Sequence, residues 1–214
     1  MPGIEEISAW RTELIRKALF GSVFYADLSA PVPSASTLFN PSTGALQALD
    51  GVWGDVGYLT SDGVTFGRAM ESSDTESWQA TEPTRSDPTS DVSNAQFVMQ
   101  ETNPYSVALY EGIPLDALGE VGEAWEWDKP ANAVMPERRF LFVSQDGSVE
   151  AGTDIYVVRL FPRGKVVELE DQSENKETET QRGVTVQAYR DSALGTAVRT
   201  WVDGPGWRAL LAGS

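Results

Sequence analysis

Ile155-Tyr156-Val157-Val158-Arg159-Leu160-Phe161-Pro162-Arg163-Gly164-Lys165-Val166-Val167-Glu168-Leu169 is the stretch on which the fold class turns. It is dense in β-branched and aromatic residues, which suit a pleated, half-buried surface. Its apolar runs are too short for a membrane span and are broken by proline and glycine. The reading is two strands, Ile155–Phe161 and Val166–Leu169, with a turn at Arg163-Gly164.

The same pattern repeats on both sides. Further strands are expected at Ser22–Leu28, Ala95–Glu101, Glu123–Trp127, Arg139–Val143, Val184–Tyr189 and Ala197–Val202, with turns at Asp146-Gly147 and Asp191-Ser192. Val56–Leu59 and Val64–Phe66 flank Ser61-Asp62-Gly63, and Asp-Gly between apolar runs predicts a hairpin. Two helices are expected. Asn103-Pro104 supplies an N-cap followed by proline at the first helical position, and that helix runs to Gly112. Ile4, Ile7, Trp10, Leu14, Ile15, Ala18 and Leu19 recur at helical spacing before Gly21. That helix either packs on its own domain or is an arm that docks on a neighbouring subunit.

The fold class is therefore mainly β, a sandwich or barrel of short strands with few helices. A single domain is expected over residues 1–214, with a helix or arm at 1–20 and a β core at 21–214. Long loops are expected at about 29–51 and 71–91, both polar or rich in proline and small residues. Loops of that length in a compact domain usually meet a partner or are disordered. The acidic run Glu170–Glu179 reads as a solvated hairpin tip or loop.

The 214 residues contain no cysteine and no histidine. Thiolate metal sites, cysteine nucleophiles and disulfides are excluded, and the usual acid/base of neutral-pH catalysis is missing. Lys+Arg 16 against Asp+Glu 32 gives a net charge of −16, a surface that repels phosphate. Met1-Pro2-Gly3-Ile4-Glu5-Glu6 has neither the basic region nor the apolar core of a signal peptide, so a soluble chain made in a cytoplasm is expected.

Glu123-Ala124-Trp125-Glu126-Trp127-Asp128 places carboxylates beside aromatic rings, as a glycosidase would. Strand periodicity explains it without catalysis, with Trp125 and Trp127 on one face and Glu126 and Asp128 on the other. No calcium loop, phosphate-cradling motif or serine elbow is present. No catalytic residue, cofactor site or metal site is assigned. Among the seven tryptophans, Trp53, Trp78 and Trp207 stand near glycine or in polar segments. They are candidate subunit-interface anchors, each with a core or edge role as the alternative.

The order of several pieces resembles the major tail proteins of siphophages, particularly those of actinobacterial hosts. The pieces are Trp53-Gly54-Asp55-Val56-Gly57-Tyr58 leading into Ser61-Asp62-Gly63-Val64-Thr65, the acidic stretch closing on Ser77-Trp78-Gln79, and Val98-Met99-Gln100-Glu101-Thr102-Asn103-Pro104 with Leu109-Tyr110-Glu111-Gly112. Pro162-Arg163-Gly164-Lys165-Val166 then precedes Val184-Thr185-Val186-Gln187-Ala188-Tyr189. The likeness spans about Gly21 to Trp207. It implies a tail-tube fold of two packed β-sheets with a flanking helix. It further implies a non-enzymatic virion subunit, made in the host bacterial cytoplasm, that assembles into stacked hexameric rings. Its partners would be itself, a tape-measure protein, and tail terminator and tail-tip or baseplate proteins. DNA would pass through the lumen without specific binding, and no membrane is involved. The acidity would then repel passing DNA or simply keep the free subunit soluble. Two other readings stay open: a β-sandwich carbohydrate-binding module, and a tail terminator or baseplate hub protein forming one ring.

Overall fold

Ile155–Leu169 is one continuous strand, not two. The structure, a computed structural model, describes residue 4 and residues 8–129 and 134–212. Pro162 has no N–H for a ladder, so inside a strand it belongs at a bulge. That is where it lies: Arg138 pairs with Gly164 and Phe140 with Phe161, two steps on one strand against three on the other. The expected turn at Arg163-Gly164 is therefore a bend within a strand.

In chain order the strands are β1 (Phe20–Asp27), β2 (Gly54–Asp55), β3 (Leu59–Thr75), β4 (Arg85–Met99), β5 (Arg138–Asp146), β6 (Ile155–Leu169), β7 (Arg182–Ala188) and β8 (Arg199–Asp203). The helices are α1 (Ala35–Leu38), α2 (Pro104–Glu111) and α3 (Pro205–Ala212). All strands join one antiparallel sheet in the order β2-β1-β5-β6-β7-β4-β3, with β8 also on β6. The bulge explains the branching. Ile155–Gly164 pairs with β5 along one edge; the other edge takes β8 opposite Tyr156–Leu160 and β7 opposite Gly164–Leu169.

The mainly β expectation holds, but its two layers are halves of one sheet folded at β6. Between them lie Val23, Tyr25, Phe97, Met99, Phe140, Phe142, Phe161, Val184 and Val186, all buried. Phe66 of β3 meets Phe142 of β5 edge-on at 5.2 Å between ring centroids, and Phe142 meets Phe161 at 5.0 Å. Fully burying one such side chain contributes about 1.5–3 kcal/mol. The opposite face of β1, β5 and β6 carries a second cluster, in which Leu141, Val158 and Leu160 are covered by Leu38, Phe39 and Trp53. Residues 29–51 are thus irregular, apart from α1, yet they pack on the core.

α2 forms as its caps dictate. The Asn103 side chain accepts from Ser106 N at 2.8 Å, Pro104 opens the helix, and Gly112 closes it at φ 75°. Arg138 is buried beside it; its guanidinium lies 4.7 Å over the Tyr25 ring and donates to Ile113 O. Desolvation lowers its pKa, and desolvation also pushes the Tyr25 phenol up.

Four other expectations are corrected. Asp62-Gly63 does not turn a hairpin: Gly63, at φ 65°, sits in an irregularity of β3 between the Leu59–Met99 and Val64–Phe97 pairs. The supposed loop at 71–91 is mostly the outer parts of β3 and β4. Glu123–Trp127 pairs with no strand. From Ser8 to Leu19 the N-terminal segment has no regular secondary structure except a 3-10 turn at Thr12–Leu14, flanked by extended Arg11 and Ile15. The helix predicted there has no surface on which to bury its apolar stripe, and short helices in water need one. Apart from Ile4, its first seven residues lie outside the described residues.

Gly164 permits the two halves to close, because a Cβ there would stand 2.6 Å from Phe140 Cδ2 and 3.2 Å from Val186 Cγ1. Gly164→Val should destabilise the fold by about 1–3 kcal/mol through overpacking. Urea denaturation would show a lower midpoint; an unchanged midpoint would mean that the halves do not meet at this point.

Candidate interaction surface

β3 has 17 residues and β4 has 15, but β7 pairs with β4 only from Asn94 to Met99. Beyond Gly67 the two strands leave the sheet as a free ribbon from Arg68–Ser93 out to Thr75–Arg85. At about 3.3 Å per residue, its eight steps reach roughly 25 Å. Its composition suits solvent on both faces, being rich in Ser, Thr, Asp and Glu, with two prolines. Arg68 grips Asp91 through two hydrogen bonds of 2.8 and 2.7 Å, which hold the Asp91 carboxyl below its ordinary pKa. At the tip the Ser77 and Thr84 hydroxyls lie 2.7 Å apart and Trp78 is 99% exposed. A fully exposed indole on a polar ribbon has no folding role in its own chain.

At the base of the ribbon the sheet is open. A groove of about 950 Å³ runs between the start of β1 and the inner part of β3, with Leu19, Tyr58, Phe66, Val157, Val202 and Trp207 among its lining. The Arg159 guanidinium sits 4.1 Å over the Phe66 ring and joins floor to wall. The N-terminal segment leaves from this rim, held by Leu19 N donating to Gln145 O at 2.9 Å and by an Arg16–Asp146 pair at 3.6 Å. Further out, Trp10, Leu14 and Ile15 are exposed. Ribbon tip, groove and arm together present large apolar side chains that the chain itself leaves uncovered.

The three tryptophans singled out from the sequence have three different placements. Trp53 is buried in the second core cluster, Trp78 crowns the ribbon, and Trp207 is half-buried at the start of α3 beside the groove. Sequence reading missed α3, although Pro205 after Gly204 marks its first turn. Arg208 fastens it, donating to Asp203 at 2.8 and 2.6 Å and to Pro41 O at 2.7 Å. Trp125 and Trp127 touch, with ring centroids 4.8 Å apart, while Glu126 and Asp128 are exposed on an irregular segment.

Among the described residues, no group of three or more acidic side chains is placed to hold a metal ion, and no helix is long and apolar enough to cross a membrane. Over residues 8–205 the sequence matches the family described as phage tail tube protein. No curated protein matches the chain.

The Arg208 hydrogen bonds are the main cause of a lowered Asp203 pKa. A depressed carboxyl contributes stability that is full above its ordinary value of 3.8 and is lost as pH falls through the lowered one. Asp203→Asn should therefore cost stability at neutral pH and flatten the acid limb of the stability curve. The loss should be a fraction of the roughly 1.5–3 kcal/mol typical of charged hydrogen bonds, because Arg208 is 34% exposed and solvent screens it. Identical acid limbs in urea titrations of the two proteins would show that the pair does not anchor α3.

Proposed function

We propose that this chain, which belongs to the phage tail tube protein family, assembles head to tail into hexameric rings that stack into the tail tube. The rings enclose the tape-measure protein and later a channel through which DNA leaves. Family membership makes it a structural component of the virion. The hexamer, the channel, the tape-measure, terminator and tail-tip partners and a siphophage origin belong to this reading. So does a single domain at 1–214.

The observation that carries it is the free ribbon. Two strands beyond Gly67 bury almost nothing, and a two-stranded hairpin alone is marginal in water. Such a ribbon gains stability when a second copy receives it. In stacked rings the tip would reach the adjacent ring, with Trp78 as its anchor, while the exposed Trp10, Leu14 and Ile15 would meet a neighbouring subunit. Trp207, beside the groove, and Trp53, within the core, would act at such a contact only through the surfaces they support. Head-to-tail contacts that close make rings, and stacking extends them.

Negative-stain electron microscopy with light scattering, over a concentration and salt series, tests the reading. Rings with a central channel, and tubes built from them, are expected. Single rings that never elongate would favour a terminator or hub protein. A strict monomer that ignores tail-tip proteins and binds glycans would overturn the proposal. Trp78→Ala should leave the melting temperature of the dispersed subunit unchanged and raise the concentration needed for tubes by at least about tenfold, as loss of an aromatic anchor does. Equal assembly of both proteins would remove Trp78 from the contact.

A further inference from the structure

Register shows why the groove at the base of the ribbon is hollow. Val23, Phe142, Arg159 and Thr200 form one cross-strand row, in which Val23 and Phe142 belong to the core. The next row outward is Gly21, Ser144, Val157 and Val202, all small or medium side chains, and Val202 is 41% exposed. No layer covers this row as Phe97 and Phe161 cover the row before it. Tyr58 and Phe66 stand beside it as an apolar wall, and the space measures about 950 Å³.

The charges around the groove are unequal in their pairing. Asp55 accepts from Ser22 Oγ and from Gly57 N, both at 2.9 Å, Glu101 accepts from Tyr58 N at 2.9 Å, and Asp146 pairs with Arg16. Arg159 stacks on Phe66 and makes no hydrogen bond or ion pair among the described residues. The site therefore suits an apolar body that carries a carboxylate at its edge.

The chain itself holds such a piece. Trp10, Leu14 and Ile15 are exposed and lie at helical spacing, and Glu13 borders their stripe three residues after Trp10. A helix this short is marginal in water and forms when its stripe is buried. We infer that Ser8–Ile15, irregular apart from one 3-10 turn in the free subunit, becomes a helix in the groove of a second copy, with its apolar stripe on the Gly21–Val202 row and Glu13 against Arg159. This rests on the self-assembly proposed above, and it specifies the arm's receiving site and its change of state. The arm does not serve its own groove. Arg16–Leu19 is already part of that rim, and from Ser8 to Leu19 there is no Gly, Pro, Asn or Asp to reverse the chain. Since the arm orders only on docking, its affinity depends on the helix propensity of residues that touch nothing.

The absence of cysteine makes cross-linking specific. Leu14→Cys protein is co-assembled with Val202→Cys protein, and separately with Tyr58→Cys protein, and the tubes are oxidised and run on non-reducing gels. At least one mixture should give linked dimers that neither partner gives alone, with none from dispersed subunits. Tubes that form without such a link overturn the inference and leave the tube reading intact. A doubly substituted chain that closes only an internal disulfide in tubes does the same, by placing the arm in its own groove. The helix has a separate readout. The Thr12 side chain is exposed, so Thr12→Ala and Thr12→Gly should leave the melting temperature of the dispersed subunit unchanged. Glycine should raise the concentration needed for tubes about fivefold above alanine, following the gap in helix propensity; equal concentrations overturn helical docking. Glu13→Arg should weaken assembly, and adding Arg159→Glu should restore part of it; a double variant that melts like the parent and restores nothing overturns that pairing. No tubes or rings under any condition, tail-tip proteins included, overturns the tube reading and the inference with it.

Discussion

Every layer of this molecule depends on the bend in β6 at Phe161–Gly164. Proline interrupts the ladder, the strand gains one residue over β5, and the sheet changes partners at that point. The bend is clamped from both sides. Arg139 donates to Pro162 O at 2.8 Å and to Leu28 O and Ala30 O at 3.2 and 3.0 Å, with Asp191 3.4 Å away. Arg163 meets both oxygens of Glu137 at 2.8 Å. The first clamp is largely buried, and the Arg139 guanidinium ties the Pro162 carbonyl of the bulged strand to the Leu28 and Ala30 carbonyls of the segment that follows β1. One bulge thus serves where a sandwich would need a crossover between sheets.

Features that depend on nearby residues were legible in the sequence. The ends of α2 were, because Asn103, Pro104 and Gly112 act within a few residues of one another. The centres of β1, β5 and β7 were, because their apolar content matches a buried sheet, and β8 was found from its Thr-Trp-Val run although none of its residues is buried. Chain direction at glycine was not. Gly63 and Gly164 signal an irregular backbone, but whether the chain reverses there depends on strands far away in sequence. Polarity misled in the outer halves of β3 and β4: a ribbon wet on both faces needs no apolar alternation, so its composition is that of a loop. At Trp10, Leu14 and Ile15 the helical period is present, yet a period becomes a helix only against a surface. Of the candidate interface, the tryptophans were visible as residue types. Their placements, from core to ribbon tip, follow from packing that a lone indole does not disclose.

Charge follows the same division. Residues 170–179 and the ribbon from Arg68 to Ser93 hold half of the net charge of −16, on mostly exposed side chains, while ion pairs fix places where the chain bends or docks. Exposed acids of this kind contribute little to folding. The interior is correspondingly spare in ionisable groups, with Arg138 and Asp154 its buried charged residues among those described.

The ribbon also bears on the kinetics of assembly. A projecting hairpin with few buried contacts opens locally at low free energy, and its amides exchange with solvent long before those of β5 or β6. On the proposed tube reading, two free subunits that meet would each have to hold a fluctuating ribbon in its docked geometry, which would slow productive association. A preformed end, with receiving surfaces already fixed, removes most of that entropic barrier. On the proposed tube reading, growth at an existing end would then outrun the appearance of new ones, and the number of filaments would be set by initiators and not by the amount of subunit.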